Sequence, residues 1–135
     1  MSIESWDPNA SQRDNSSTLD QAFIDRCLNH ANMNELDTLA TVLSEQDKNA
    51  YPCIDVDPQQ WLELLEQYDN QKLVMLIRFF AAIEAQLNEW QAGAKSPAIT
   101  IYRLLKSRGE KLDKSELLWL RQHSTNRYIP YGNVL

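Results

Sequence analysis

The stretch LVMLIRFFAAI, residues 73–83, limits the possible folds of this chain more than any other part of its sequence. Arg78 is its only residue that is not apolar. The stretch is too short for a membrane span, which needs about 20 residues. A helix that is apolar on nearly all of its circumference is buried inside its domain. We therefore predict a central helix over residues 71–91, with Gly93 as its C′ stop.

The residues before this stretch predict two further helices. Thr18 and Gln21 have the spacing of a capping box, so the first helix should start at Thr18 and run to about Asn32. A second helix should follow, capped by Asn32 or Asn34 and ending near Glu45. Its apolar stripe has the helical spacing i, i+3, i+4, i+7, on Leu36, Leu39, Ala40 and Leu43.

Residues 45–57 have no helical period and contain Pro52, so we expect a connecting loop there. Asp57 and Pro58 then start another helix, because aspartate is a good N-cap and proline suits the first helical position. The apolar spacing of this helix continues to Tyr68.

Two more helices end the predicted fold as an αα-hairpin. Ser96 and Pro97 start the first of them, and Gly109 ends it. Asp113 starts the second, which should continue to about His123. The β-branched run at residues 99–101 looks strand-like alone, but the cap and the glycine on either side both favour a helix.

These elements predict one all-α domain. We expect a bundle of about six helices around the central helix, with the C-terminal hairpin and an aromatic tail, over residues 18–135. Residues 1–17 are polar and should form a mobile arm. A chain of 135 residues is long enough to bury a single core.

Charge is unevenly distributed along the chain. Residues 1–94 carry 5 Lys/Arg and 16 Asp/Glu, whereas residues 95–135 carry 8 and 3, which divides the net charge of −6 into −11 and +5. The acidic and basic parts either compensate each other in the fold or leave a basic surface for a partner. The N-terminus has no apolar segment typical of a signal peptide, and two cysteines suit a reducing compartment, so we expect a soluble, cytoplasmic protein.

Metal-ligating residues gather only weakly, around Cys53, Asp55 and Asp57. A structural zinc site needs four ligands, commonly in paired short spacings such as C-x-x-C, and the sequence has none. Asp57 is better explained as a helix cap. We therefore predict no metal and no cofactor.

Candidate catalytic groups are also weak. His123 precedes Ser124 and Thr125, but no third residue can be named that would orient the histidine. Paired carboxylates are conceivable among Glu63, Glu66 and Glu84, although the first two fit the solvated face of a helix. The interpretation favoured by these residues is a protein without enzymatic activity.

The hairpin offers a possible nucleic-acid interface. Its two helices resemble a helix-turn-helix in outline, but the link RGEKLD is longer than the usual turn of 3–4 residues. The alternative is a structural hairpin whose cations face water. The candidate phosphate contacts are Arg103, Lys106, Arg108, Lys111, Lys114 and Arg121.

The run LLWL at residues 117–120 is the other notable feature of the hairpin. Four consecutive residues sweep about 300° around a helix, so this run cannot face one core. Its outer side meets either the tail of the same chain or a partner, including a second copy. The candidate partner surface consists of Trp119, Arg127, Tyr128, Ile129 and Tyr131.

From these features we predict a non-enzymatic regulatory or adaptor protein that acts by protein–protein contact through the C-terminal hairpin and tail. The alternative is a nucleic-acid-associated regulator that uses the basic residues of the hairpin. A membrane partner is not expected.

Overall fold

Helices account for the regular structure of residues 19–126, the part of the chain that the computed structural model describes. The all-α prediction is confirmed, and no strand occurs within these residues. Short 3₁₀ turns at Leu36–Thr38, Tyr51–Asp55, Asn88–Trp90 and Gly93–Lys95 connect the helices. The α-helices are α1 (Gln21–Asn32), α2 (Leu39–Val42), α3 (Glu45–Lys48), α4 (Pro58–Leu65), α5 (Asn70–Gln86), α6 (Pro97–Ser107) and α7 (Lys114–His123).

Helix α5 is the predicted apolar helix, and it contacts α1, α2, α6 and α7. Nine of its 17 residues are buried. Its phenylalanines pack edge to face, with ring centroids of Phe79 and Phe80 5.1 Å apart. This burial fits the central position that the sequence predicts. Residues 19–126 contain no helix whose length and apolar character would let it cross a bilayer.

The predicted end of α5 is wrong. The helix stops at Gln86, five residues before the expected Gln91, and Leu87 is extended. The chain turns there because Trp90 is wholly buried, and its indole Nε1 donates to the Lys48 carbonyl at 3.0 Å. Gly93 has a φ of 58° and begins a 3₁₀ turn instead of ending α5.

The helix predicted between Asn32 or Asn34 and Glu45 is broken into shorter pieces. Asn34 has a φ of 59° and caps no helix. Leu43 is extended, and Ser44 then caps α3, since its hydroxyl accepts from the Asp47 amide at 3.1 Å. The loop expected at residues 45–57 therefore contains α3 and a 3₁₀ turn.

Arg26 of α1 makes a long-range contact with α3. Its guanidinium donates through Nη2 at 2.9 Å to Oδ1 of Asp47, a buried carboxylate of α3. A local reading of the sequence does not reveal this contact, because the two residues are 21 positions apart. A tertiary ion pair thus holds a four-residue helix against α1.

The predicted start of α1 at Thr18 lies outside the described residues. Within them, Asp20 caps the helix by accepting from the Phe23 amide at 2.9 Å. Ala22 is exposed and His30 is half-buried. The buried residues of α1 are Phe23, Ile24, Cys27 and Leu28.

The other helix starts agree with the sequence prediction. Asp57, Ser96 and Asp113 each accept a backbone N–H in the first turn of α4, α6 and α7. Gly109, which has a φ of 82°, follows α6 as predicted. The predicted arm at residues 1–17 and the tail from residue 127 lie outside the described residues.

Candidate protein-binding surface

Helix α7 distributes the apolar run at residues 117–120 over several directions, as its helical spacing requires. Leu117 and Leu120 face the core and are 4% and 1% exposed. Leu118 points to solvent and is 53% exposed, while Trp119 is half-buried at the boundary. The outer side of the run is therefore not covered by the described part of the chain.

Leu118 lies in the middle of the solvent face of α7. Lys114 is one turn before it and Arg121 about one turn after it, and both side chains are exposed. Ser115 and Gln122 complete the exposed face. The outer face of α7 thus consists of one large apolar side chain between two cations.

Trp119 is held between two cationic or ionisable groups. The His123 imidazole stacks on its indole with ring centroids 4.0 Å apart and an interplanar angle of 10°. The Arg78 guanidinium lies 5.2 Å from the indole centroid and donates through Nε to Glu116 Oε1 at 2.6 Å. Arg78, the one charged residue of the apolar stretch in α5, therefore emerges at this surface.

The end of α1 borders the same surface. A small cavity of about 70 Å³ is lined by Trp119 and by Asn34, among other residues. His123 Nε2 lies 3.3 Å from Asp37 Oδ1, which ties the two regions together. Met33, next to Asn34 in the chain, is 61% exposed. We define the Trp119 surface as Arg78, Leu118, Trp119 and His123.

Trp119 is the one residue of the predicted partner surface that the structure describes. Arg127, Tyr128, Ile129 and Tyr131 lie outside the described residues. The described chain ends at Asn126, whose side-chain amide donates to the Gly93 carbonyl at 2.8 Å. The residues that the sequence predicts for this surface do not include Arg78, Leu118 or His123. For Leu118, the signal was available in its spacing from Lys114 and Arg121.

The candidate nucleic-acid residues differ in their surroundings. Arg108 is engaged within the fold, since its guanidinium donates to the Tyr68 carbonyl at 2.8 Å and to Asn70 Oδ1 at 2.9 Å. A second nitrogen donates to the Glu66 carbonyl at 3.1 Å. Arg108 thus joins the end of α6 to the link between α4 and α5.

The remaining basic residues of the hairpin are exposed. Lys106 Nζ lies 5.9 Å from the Tyr102 ring centroid. Carboxylates are interspersed with these cations at Glu110, Asp113 and Glu116. The exposed candidates are Arg103, Lys106, Lys111, Lys114 and Arg121.

The candidate catalytic groups are placed apart. Glu63 and Glu66 are exposed, whereas Glu84 is buried in α5. His123 stacks on Trp119, and its Nδ1 lies 2.9 Å from the Trp119 carbonyl. The three glutamates are therefore not brought into one site. The contacts of His123 are with Trp119 and Asp37.

Glu84 is the most deeply buried carboxylate of the described residues, at 2% exposure. Oε1 accepts from the Asn126 amide at 2.9 Å and from the Ala92 amide at 3.4 Å, and Oε2 accepts from the Ser96 hydroxyl. Burial raises the pKa of Glu84 above its usual value, although these hydrogen bonds act in the opposite direction. Glu84 therefore has a structural role, because it connects α5 to Ser96 and to Asn126.

Metal and thiol chemistry find no support in residues 19–126. No group of three or more His, Cys, Asp or Glu side chains there has an arrangement that could hold a metal ion. Cys27 and Cys53 are free and buried. Burial raises the pKa of the Cys53 thiol to about 12 and raises that of Cys27 as well, so both stay protonated at neutral pH.

Comparison of the chain with protein-family models, with curated proteins and with solved structures gave no match.

Proposed function

We propose that this protein is a non-enzymatic regulatory or adaptor protein that binds a partner protein through the outer face of α7 and the Trp119 surface. The observation that carries the proposal is the position of Leu118, which is 53% exposed in the middle of a polar helix face. The core does not require a leucine there, because Leu117 and Leu120 already provide the buried side of α7.

The composition of the Trp119 surface supports the same proposal. Tryptophan, methionine and arginine are enriched in protein interfaces, and tryptophan and arginine dominate binding hot spots. Here Trp119 and Arg78 occur together, and Leu118 is the neighbour of Trp119 in α7. Burying the exposed part of a leucine against a partner stabilises a complex by about 1–2 kcal/mol.

The charges around Leu118 indicate the chemistry of the partner. Lys114 and Arg121 flank it on the solvent face of α7. An acidic amphipathic helix would place apolar side chains on Leu118 and carboxylates near both cations, which is electrostatic complementarity of the kind that steers association. We therefore propose an acidic amphipathic helix of another protein as the bound segment.

The setting of this function is part of the proposal. We place the protein in the cytoplasm, acting without cofactor or metal. The two unpaired, buried cysteines support a reducing compartment.

A synthetic peptide tests the proposal directly. The probe is a fluorescein-labelled helical peptide with leucine at each i, i+4 position and glutamate on both flanks, and binding is followed by fluorescence anisotropy. We expect Leu118→Ser to weaken binding about tenfold or more. Tyr51→Ser is the matched control, because Tyr51 is also a partly exposed apolar residue, at 37%, but does not belong to the Trp119 surface.

Charge reversal gives a second arm of the same experiment. The double variant Lys114→Glu with Arg121→Glu should lose the acidic peptide and bind a version whose glutamates are replaced by lysine. Equal affinities of the Leu118→Ser and Tyr51→Ser variants would contradict the proposal. Self-association that Leu118→Ser abolishes, measured by sedimentation without peptide, would instead assign the surface to a second copy.

Nucleic-acid binding is the second candidate function. The observation that favours it is the set of five exposed basic side chains on and between α6 and α7. Phosphate contacts strengthen as salt falls, so mixed-sequence DNA and RNA should bind more tightly at each step of a decreasing salt series. Absence of binding at the lowest salt concentration would exclude this candidate. Arg108→Lys should leave the affinity for nucleic acid unchanged, because Arg108 is engaged within the fold.

A further inference from the structure

A second concave feature lies beside α6 and α4. A cavity of about 330 Å³ opens between the 3₁₀ turn Tyr51–Asp55, the start of α4 and the residues around Lys95. Thr100 and Arg103 of α6 complete its lining. Small-molecule sites are commonly clefts of about 300–1,000 Å³, so this cavity is at the small end of that range.

The inner part of the cavity is apolar and rigid. Ile54, Val56 and Leu62 are half-buried and line it together with Trp61. Trp61 is 2% exposed, and its indole Nε1 donates to the Cys53 carbonyl at 3.0 Å. Its ring also packs edge to face on Phe80, with centroids 5.5 Å apart. The apolar wall is thus fixed by the core and does not depend on a ligand.

The rim of the cavity carries an excess of positive charge. Lys95 Nζ lies 3.5 Å from Asp55 Oδ1, and both side chains are about three-quarters exposed. Arg103 is exposed, and no carboxylate of residues 19–126 forms an ion pair with it. Thr100 lies one helical turn before Arg103 on the same face of α6 and supplies a hydroxyl. Arg103 therefore has no counter-charge from residues 19–126.

We infer that this cavity binds a small amphipathic anion, whose apolar chain or ring contacts Trp61, Val56 and Leu62 and whose head group pairs with Arg103. A guanidinium matches a carboxylate or a phosphate through two parallel hydrogen bonds. Lys95 and Thr100 lie at the same rim and add further donors. Arg103 would repel a cationic ligand, and a neutral ligand would form no ion pair with it.

Isothermal titration calorimetry with four ligands of equal chain length tests this inference. The ligands are octanoate, octyl phosphate, octanol and octylamine, with octanol kept below its solubility limit and each of the others below the concentration at which it forms micelles. We expect both anions, or one of them, to bind at least about tenfold more tightly than octanol, because charge-assisted hydrogen bonds are the stronger ones. Octylamine should not bind. The two anions also separate a carboxylate site from a phosphate site.

Two variants locate the binding. Arg103→Ala should weaken binding of the preferred anion about ten- to a hundredfold. Arg121→Ala is the matched control, since Arg121 is exposed on α7 and does not line the cavity. Val56→Phe should abolish binding by filling the apolar part, and thermal melting shows whether that variant remains folded.

Three results would overturn the inference: binding of octanol as tight as that of both anions, equal affinity of the Arg103→Ala and Arg121→Ala variants, or no binding of either anion up to its micelle concentration. None of them bears on the outer face of α7, because Leu118 and Trp119 do not line this cavity.

Discussion

At the scale of single residues, Glu84 joins three parts of the fold. It belongs to the last turn of α5, accepts from the cap residue Ser96 of α6, and accepts from Asn126 beyond α7. Burial of a carboxylate disfavours its charged form, so the pKa of Glu84 is raised. The hydrogen bonds from Ser96, Asn126 and Ala92 offset part of that cost. The ends of α5 and α7 and the start of α6 therefore depend on one side chain.

The raised pKa of Glu84 predicts how stability changes with pH. The folded protein binds this proton more tightly than the unfolded chain, so the contribution of Glu84 to the free energy of unfolding falls as pH rises from about 4.5 through the raised pKa. Glu84→Gln keeps the shape and removes the titration. We expect the stability of this variant relative to the wild type to increase from about pH 4 to about pH 7, measured by urea denaturation. A constant difference would contradict the prediction.

Glu84→Ala is the companion variant, and it removes the acceptor itself. The Ser96 hydroxyl loses its partner in a buried site, so we expect the free energy of unfolding to fall by about 2–3 kcal/mol. Glu63→Ala is the control, because Glu63 is an exposed carboxylate of α4. That substitution should change stability by less than about 0.5 kcal/mol.

The role of Glu84 was not predictable from the sequence, whereas that of Ser96 was. Ser96 caps α6 through the amide of Ala98, two residues away, and such local pairs follow from residue type and spacing. Asn126 is 42 positions from Glu84, so their contact follows only from the packing of α7. Leu118 is intermediate between these cases. Its position between Lys114 and Arg121 on one helix face follows from their spacing, but its exposure depends on which face of α7 meets the core.

At the scale of elements, helix starts were predicted better than helix ends. Asp57, Ser96 and Asp113 each accept a hydrogen bond from a backbone amide two or three residues later in the chain. Each of these helix starts is therefore a local property of the sequence. The end of α5 at Gln86 instead follows from the burial of Trp90. The centroid of its ring lies 6.3 Å from the centroid of the Phe23 ring in α1. The sequence around Gln86 contains no stop signal, and only tertiary packing determines where that helix ends.

Gly109 makes a prediction about the connection between α6 and α7. Its φ of 82° lies in the left-handed region, and a Cβ built there would meet no atom within 4 Å. The effect of a side chain is therefore backbone strain alone. We expect Gly109→Ala to lower the free energy of unfolding by about 1 kcal/mol, and Gly109→Asn to lower it less, since asparagine tolerates this region. Thermal or urea denaturation measures both.

Lys111→Ala serves as the control for Gly109, because it is an exposed substitution in the same connection. It should change stability by less than about 0.5 kcal/mol. If Gly109→Ala were as stable as the wild type, the connection would have relaxed to a different conformation. The Arg108 contacts with Tyr68 and Asn70 fix the residue next to Gly109 and oppose such relaxation.

At the scale of the whole molecule, one cluster of buried residues connects the described helices. Cys27 of α1 and Cys53 of the 3₁₀ turn Tyr51–Asp55 both belong to it, at 1% and 0% exposure. Both thiols are free, and burial raises the pKa of each. A thiol reagent should therefore reach neither cysteine unless the core opens.

Thiol labelling in urea tests whether this core opens as one unit. We expect both cysteines to react with a disulfide reagent at one common rate, with the midpoint in urea that circular dichroism gives for loss of helix. The single variants Cys27→Ala and Cys53→Ala assign each reaction to its residue. Faster labelling of Cys53 would mean that the turn over residues 51–55 opens separately from α1. Since that turn also forms one wall of the cavity beside Trp61, separate opening would make the anion site a mobile part of the molecule instead of a fixed one.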